Sequence, residues 1–165
     1  MPAIQNPADT RSPPRSAGLA AWPGAMDAVA VAVAVADSDA HFIALLNAYR
    51  ASGGLADGAE IAARQPFTGL SALARAITAR TVVSLDWAGQ RWLPIFQFEP
   101  GDLAVRPPVR VLIEELSDVL DDWELADWFV EPNAWLGGAP PLRLVDTDFA
   151  RVHDTARALR FACGH

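Results

Sequence analysis

Apolar positions at helical spacing mark three short segments in the first half of the chain. Their periodicity predicts helices over residues 40–52, 57–64 and 69–80, with Asp39 as the N-cap of the first. Gly53-Gly54 and Pro66 fall between these segments and favour tight turns. Three short helices joined in this way have the size of a helix-turn-helix bundle.

Arginines in this segment are candidates for contact with DNA phosphates. Residues 41–80 carry four arginines and two acids, and the candidates are Arg64, Arg75 and Arg80. Arginines exposed to solvent on an ordinary helical surface explain the same excess. DNA binding is therefore a hypothesis here, with a structural surface as its alternative.

The hydrophobic period changes after residue 80. Residues 81–87 and 91–98 are rich in β-branched and aromatic side chains, and Gly89 lies in the short segment between them, which predicts a β-hairpin. Pro94 cannot donate a ladder hydrogen bond, so we expect an edge position or a bulge. The aromatic residues of the hairpin should belong to the core rather than to a ligand cage: Trp87, Trp92, Phe96 and Phe98.

Helical periodicity returns in the second half. Pro107-Pro108 should begin a helix that continues to about residue 120, and a second helix should cover residues 123–130. Asn133 can cap a single turn over 134–136, a brief apolar element covers 141–145, and Asp146 or Thr147 should cap a final helix.

These patterns predict a mainly α fold with one β-hairpin. A helix-turn-helix-like bundle with the hairpin would occupy residues 39–100, and a helical partner-binding domain residues 101–165. Residues 1–38 are expected to form a disordered leader, because prolines and small residues dominate the first part. Ala28 to Ala36 alternates alanine and valine; it is too short to span a membrane and is flanked by aspartates, unlike a secretion signal. It is low-complexity sequence, and the alternatives are a frayed extension of the next helix or an added edge strand. We expect a cytoplasmic protein.

Charge changes the picture in one segment. The 165-residue chain has 13 arginines, no lysine and 20 acids, for a net charge of −7, which argues against a protein that coats nucleic acid. Eight of the acids lie within residues 114–131, where there is no basic residue. Such a run is usually a solvated helix face, and the alternative is a surface for a basic partner.

Candidate chemistry is sparse. One cysteine, Cys163, excludes an internal disulfide, and the three histidines have no metal-ligand spacing. Phosphate-binding glycine loops, nucleophile elbows and zinc-protease motifs are absent from the sequence. A Cys163–histidine pair is conceivable but lies at the chain end. We therefore expect neither an enzyme nor a cofactor or metal site.

The stretch from Trp128 to Gly164 resembles the toxin-binding domain of the Xre/MbcA/ParS antitoxin family. The family pattern has a Trp, a Pro-Asn pair, a Leu-x-Gly turn, a Pro-Leu pair and a closing helix. The matching positions are Trp128, Pro132, Asn133, Leu136, Gly138, Pro141, Leu142, Leu144, Val152, Leu159 and Gly164. Upstream, the run from Pro94 to Phe98 is similar to a Pro-x-Phe-Gln-Phe segment that precedes the domain in some members, so the likeness covers about residues 82–164.

The resemblance implies a bacterial antitoxin that pairs an amino-terminal DNA-binding part with this domain. The domain binds and blocks a RES-type toxin that consumes NAD, and the complex represses its own operon. Position on the matched domain makes these residues the candidates for partner binding: Trp135, Leu136, Arg143, Arg157 and Arg160. A homodimer is expected. The alternatives are a DNA-binding regulator without a toxin partner and an orphan dimeric interaction module.

Overall fold

The computed structural model describes residues 25–64, 67–101 and 103–164. This part of the chain is mostly helical, with a small three-stranded antiparallel sheet. The helices are α1 Ala25–Tyr49, α2 Gly58–Arg64, α3 Phe67–Thr78, α4 Pro107–Leu116, α5 Asp122–Val130, α6 Pro141–Leu144 and α7 Phe149–Cys163. The strands are β1 Leu55–Asp57, β2 Leu85–Trp87 and β3 Gln90–Pro94, and 3₁₀ turns cover Arg50–Ser52, Ile95–Gln97 and Ala134–Leu136. The chain divides between residues 37 and 38, and residues 38–165 form the second unit.

The first helix begins well before the predicted position. It starts at Ala25, so Asp39 lies inside it and is not the N-cap. Alanine is the strongest helix former and the alternating Ala/Val segment has no helix breaker, which explains the earlier start. Of the predicted leader, residues 25–38 are thus helical, and residues 1–24 lie outside the described residues. The Asp39 carboxylate instead accepts a hydrogen bond from Trp87 Nε1 at 3.0 Å.

The predicted hairpin is formed, with a strand added to it. β2 and β3 pair antiparallel with Trp87 opposite Gln90, which leaves a two-residue turn at Ala88-Gly89. Both turn residues have positive φ, 52° and 76°, as a type I′ turn requires. The added strand β1 pairs with the other side of β3.

Pro94 therefore lies on the central strand of the sheet, in the order β1-β3-β2, and the predicted edge position is wrong. The proline is tolerated because it is the last residue of β3, opposite Leu55. Pairing with β2 has already ended at Trp92, opposite Leu85, so no β2 ladder needs the missing donor.

Two hydrophobic clusters hold the second unit together. The larger joins α1, the hairpin region, α4, α5 and α7, with Tyr49, Leu85, Leu112 and Phe129 among its fully buried members. The smaller joins α2 and α3 to β3 through Ile61, Leu73, Val82, Leu93 and Phe98. α1 therefore packs in a different cluster from α2 and α3, and residues from both sides of position 100 share the larger cluster.

The hairpin aromatics lie in the core, as predicted. Phe96 and Phe98 are buried, and Trp87 and Trp92 are half-buried. Phe42 of α1 stacks on Trp87, with ring centroids 4.1 Å apart and planes 6° from parallel. Stacking of this kind adds to the stabilisation from buried area.

The buried side-chain amide of Gln97 forms hydrogen bonds with the backbone of Val83, just before β2. Gln97 is fully buried; its Oε1 accepts from the Val83 N–H at 2.8 Å and its Nε2 donates to the Val83 carbonyl at 2.9 Å. Both buried backbone groups of Val83 are thereby satisfied, which an apolar side chain at position 97 could not do.

The second half follows the predicted elements closely. α4 begins at Pro107 but ends at Leu116, and α5 is capped by Asp121 in a capping box with Glu124. The predicted N-cap of the final helix, Asp146 or Thr147, is wrong. Asp148 occupies the N-cap position, and its side chain makes no capping hydrogen bond.

Candidate partner-binding surface

Trp135 stands exposed on a fixed turn between α5 and α6. Its side chain is 58% exposed. Its backbone N–H donates to Asn133 Oδ1 at 2.9 Å, and its carbonyl accepts from Arg151 Nη2 at 2.9 Å. Gly137 closes the turn with φ of 70°, in the left-handed region that glycine adopts without strain. The indole is therefore presented to solvent by a backbone held at several points.

Leu136 has the opposite role on the same turn. It is 3% exposed and belongs to the larger hydrophobic cluster. Leu136 therefore holds the turn against the hydrophobic core and does not itself offer a contact surface. Trp135 is then free to contact another molecule while its neighbour fixes the turn.

Arg143 lies on α6, at the wall of a cleft of about 1000 Å³. The cleft is bounded by the ends of α1 and α5, the 3₁₀ turn at Ile95–Gln97 and α6. Arg143 is exposed, and within the described residues its guanidinium has no hydrogen-bond or ion-pair partner.

Arg157 and Arg160 line a second hollow, of about 770 Å³, between α4 and the end of α7. Arg160 Nη1 lies 3.2 Å from Glu115 Oε1, and its Nη2 lies 3.8 Å from Asp118 Oδ2. Arg157 is exposed. Arg160 thus joins α7 to α4, and Arg157 keeps its side chain at the surface.

The predicted partner-binding residues do not form one patch. Trp135 is tied to Arg151, near the start of α7, whereas Arg160 lies nine positions further along. At the rise and twist of an α-helix these positions are about 13 Å apart along the axis and about 180° apart around it. Trp135 and Arg160 are therefore separate places, and Trp135 lines neither the Arg143 cleft nor the Arg157–Arg160 hollow.

The DNA-contact candidates also differ from one another. Arg75 is exposed on α3, and its Nε donates to the Ser71 carbonyl at 3.1 Å. The side chain of Arg64 lies outside the described residues. Arg80 is half-buried and turned toward the second half of the chain, so the three arginines do not present one equivalent set of cations.

Arg80 joins α3 to the turn between α4 and α5. Its Nη1 donates to the Ser117 carbonyl at 2.6 Å, and its Nη2 donates to the Leu120 carbonyl at 2.8 Å. Nε and Nη2 also reach Asp122 Oδ1, at 3.2 and 3.1 Å. Its backbone is left-handed, with φ of 51°, which is uncommon for a residue with a Cβ. The guanidinium is thus engaged within the protein.

The acidic run is also engaged largely within the protein. Seven of its eight side chains accept a hydrogen bond or form an ion pair within the described residues: Glu114, Glu115, Asp118, Asp121, Asp122, Glu124 and Asp127. Their partners are Arg80, Arg110, Arg160, His41 and backbone N–H groups at the start of α5. These contacts give most of the acidic side chains a partner within the protein.

Several connecting residues gave no signal in the sequence. His41 Nε2 donates to both carboxylate oxygens of Asp127, at 2.9 and 2.8 Å, and so links α1 to α5. Arg106 donates to the Phe96 carbonyl at 3.0 Å and pairs with Asp146. Partners 86 and 40 positions apart cannot be matched by any local pattern.

Two pKa shifts follow from this packing. Burial raises the pKa of Tyr49 well above its ordinary value, and the nearby Asp127 charge adds to the shift. The Tyr49 hydroxyl donates to the Ala126 carbonyl at 2.7 Å. At the hairpin, the hydrogen bonds from Arg91 lower the pKa of the exposed Asp86.

The described residues contain no group of three side chains suited to hold a metal ion. Cys163 is an exposed free thiol at the end of α7. Within the same residues, no helix combines the length and the apolar content that a membrane crossing requires. Comparisons of the chain with models of protein families, with curated proteins and with solved structures found no match.

Proposed function

We propose that this protein is a non-enzymatic antitoxin-like protein that binds and blocks a RES-type, NAD-consuming toxin. The observation that carries the proposal is the exposure of Trp135, 58%, on a turn fixed by Asn133 and Arg151. This turn lies inside the stretch from Trp128 to Gly164 that resembles the toxin-binding domain.

The physical argument concerns the cost of ordering a contact residue. Tryptophan is enriched among the few residues that dominate binding energy, because it brings a large contact area with little loss of side-chain freedom. A turn that is already fixed adds little ordering cost on association. Trp135 is therefore the proposed centre of the contact, and Leu136 supports it from the core.

Arg143, Arg157 and Arg160 are proposed only as outlying contacts. Arg143 and Arg157 line hollows that do not include Trp135. Arg160 lies on the opposite side of α7 from Arg151 and already has Glu115 on α4 and Asp118 just after it as acidic neighbours. Rim charges affect association rate and salt dependence more than affinity. Substituting Arg157, which is exposed, should therefore change the association rate and leave the dissociation rate nearly the same.

Regulation of the protein's own operon is the second part of the proposal, with DNA binding alone as the alternative function. The observation that favours it is the pair of consecutive short helices α2 and α3, with Arg75 exposed on the second. Arg64 and Arg75 are the proposed phosphate contacts; Arg80 is less suited, since its guanidinium is engaged internally. The proposed antitoxin is a cytoplasmic homodimer. The remaining alternative is an orphan dimeric interaction module without a toxin partner.

The binding test uses the full chain and a RES-domain protein from the same source. Calorimetric titration of the purified pair should give a complex with the wild type and at least about thirtyfold weaker binding with Trp135→Ala, as expected for a central contact. Ile43→Ala is the matched control, because Ile43 is an equally exposed apolar residue, at 54%, on α1. Absence of any complex with the wild type, or equal affinity of Trp135→Ala, would contradict the proposal.

The DNA test is separate. Operator retention by the wild type should weaken as salt rises, and Arg75→Ala should reduce both the retention and its salt dependence. If Arg75→Ala leaves retention unchanged, the DNA-binding alternative loses its principal contact.

A further inference from the structure

The cleft beside Arg143 has the build of a small-ligand site. Its volume, about 1000 Å³, is at the upper end of the usual range for such sites. Most of its wall is apolar: Ala48, Ile95, Phe98, Leu103, Val130 and Leu142. Several of these side chains are only partly buried, so a ligand with an apolar body would remove them from water.

The charged side chains of the cleft differ in whether they already have a partner. Arg106 pairs with Asp146 and donates to the Phe96 carbonyl at 3.0 Å, so its charge and its donors are already engaged. Arg143 has no such partner within the described residues, and neither does the carboxylate of Glu99 at the rim.

This charge balance selects among anionic ligands. Among the described residues, the two arginines and two acids of the wall sum to zero, so a phosphate or nucleotide would gain nothing from their combined field. Glu99 would also repel a dianion more strongly than a monoanion. One unpaired guanidinium is suited to one carboxylate, which it can bind with two parallel hydrogen bonds.

From these observations we infer that the cleft binds a monocarboxylate with an apolar body. The carboxylate accepts hydrogen bonds from Arg143, and the body covers the partly buried wall formed by Ile95, Val130 and Leu142. The site is distinct from the Trp135 turn and does not depend on the proposed toxin partner.

Titration of the full chain with decanoate, below its micelle concentration, tests the inference by calorimetry. Binding should be one to one, with a dissociation constant on the order of 0.1 mM for a ligand of this size. Shortening the chain to octanoate and hexanoate should weaken binding by about fourfold for each methylene removed, since each methylene leaves an apolar wall. Decyltrimethylammonium and inorganic phosphate should not bind.

Substitution of the cation separates a built site from nonspecific apolar binding. Arg143→Met keeps most of the stem and removes the charge, and the exposed, unpaired side chain is not needed for folding. It should weaken decanoate binding by roughly tenfold and leave binding of uncharged decanol unchanged. Arg110→Met is the matched control, because Arg110 is an exposed arginine on α4 outside the cleft wall.

The outcomes are decisive in both directions. Loss of affinity confined to Arg143→Met, together with the chain-length dependence, supports the site. No heat with decanoate, equal affinity of Arg143→Met and the wild type, or equally tight binding of the cationic amphiphile would overturn it.

Discussion

Arg80 offers the sharpest test of how the second unit is held together. The side chain joins the end of α3 to the carbonyls of Ser117 and Leu120 and to the carboxylate of Asp122. Arg80→Ala removes these contacts. Both ends are partly exposed, with side-chain exposures of 42% for Arg80 and 38% for Asp122, so water will replace part of what is lost.

The expected cost follows from those contacts. Each carbonyl bond contributes about 1 kcal/mol net, and a half-exposed ion pair adds about 0.5 kcal/mol. Arg80→Ala should therefore lower the free energy of unfolding by about 2–3 kcal/mol. For a chain of this size that corresponds to a fall in Tm of roughly 4–10 °C.

The left-handed backbone at this position provides an internal check. Arg80 has φ of 51°, so alanine keeps the unfavourable Cβ while glycine relieves it by about 1 kcal/mol. Arg80→Gly should thus be more stable than Arg80→Ala, although its side chain is smaller. Arg80→Lys should lie nearest the wild type, because it keeps the charge but not the planar set of donors.

Urea unfolding followed by circular dichroism measures all three variants. Arg75→Ala is the control, since Arg75 is an exposed arginine on α3, five positions before Arg80, and it should change the free energy of unfolding by less than about 0.5 kcal/mol. The reasoning is refuted if Arg80→Ala unfolds within 0.5 kcal/mol of the wild type, roughly the effect of a neutral surface change. It is equally refuted if Arg80→Gly is the least stable variant.

Three further predictions concern the hairpin and the core. Gln97→Leu should lower the free energy of unfolding by about 3 kcal/mol in urea titration, because it leaves the buried N–H and C=O of Val83 unpaired; a change below about 1 kcal/mol would exclude this role. Tyr49 is the chain's only tyrosine, and burial raises its pKa, so phenolate absorbance at 295 nm should appear only as the protein unfolds. Because the unfolded state loses the phenolic proton at a lower pH than the folded state, the free energy of unfolding should fall above about pH 10. The hydrogen bonds from Arg91 hold the pKa of Asp86 below its ordinary value, so the small contribution of this pair to stability should be present above about pH 4 and lost as the pH falls through the lowered pKa. In Arg91→Gln, NMR titration of the Asp86 carboxyl should show a higher midpoint than in the wild type.

Elements with strong local signals were predicted well from the sequence. α4 begins at the predicted proline pair, and Asn133 caps the turn that carries Trp135. The hairpin turn at Ala88-Gly89 forms where the glycine indicated it. In each case a single residue type determines the local backbone geometry, so the pattern is sufficient.

Elements that depend on partners elsewhere in the chain were not predictable. β1 has only three residues and exists because β3 offers it an edge. The start of α1 before Asp39 could not be located from the sequence, because a segment that consists almost entirely of alanine and valine has no alternation of polar and apolar faces. The acidic run looked like a free surface because its arginine and histidine partners lie far away in sequence.

At the candidate site, too, some features follow from the local sequence and others depend on residues far away in the chain. Trp135 was chosen as a candidate from its position in the sequence, whereas its exposure and its support from Arg151 are seen only in the structure. The pairing of Arg106 with Asp146, and the fact that no described residue pairs with Arg143, also become visible only in three dimensions.

The most direct measurement of the central claim is NAD consumption by a RES-domain protein from the same source in the presence of this chain. The account predicts that the wild type and Ile43→Ala suppress NAD loss at about equal molar amounts, and that Trp135→Ala requires a large excess. Continued NAD loss at every ratio of the wild type, or suppression by Trp135→Ala at the same ratio, would contradict it.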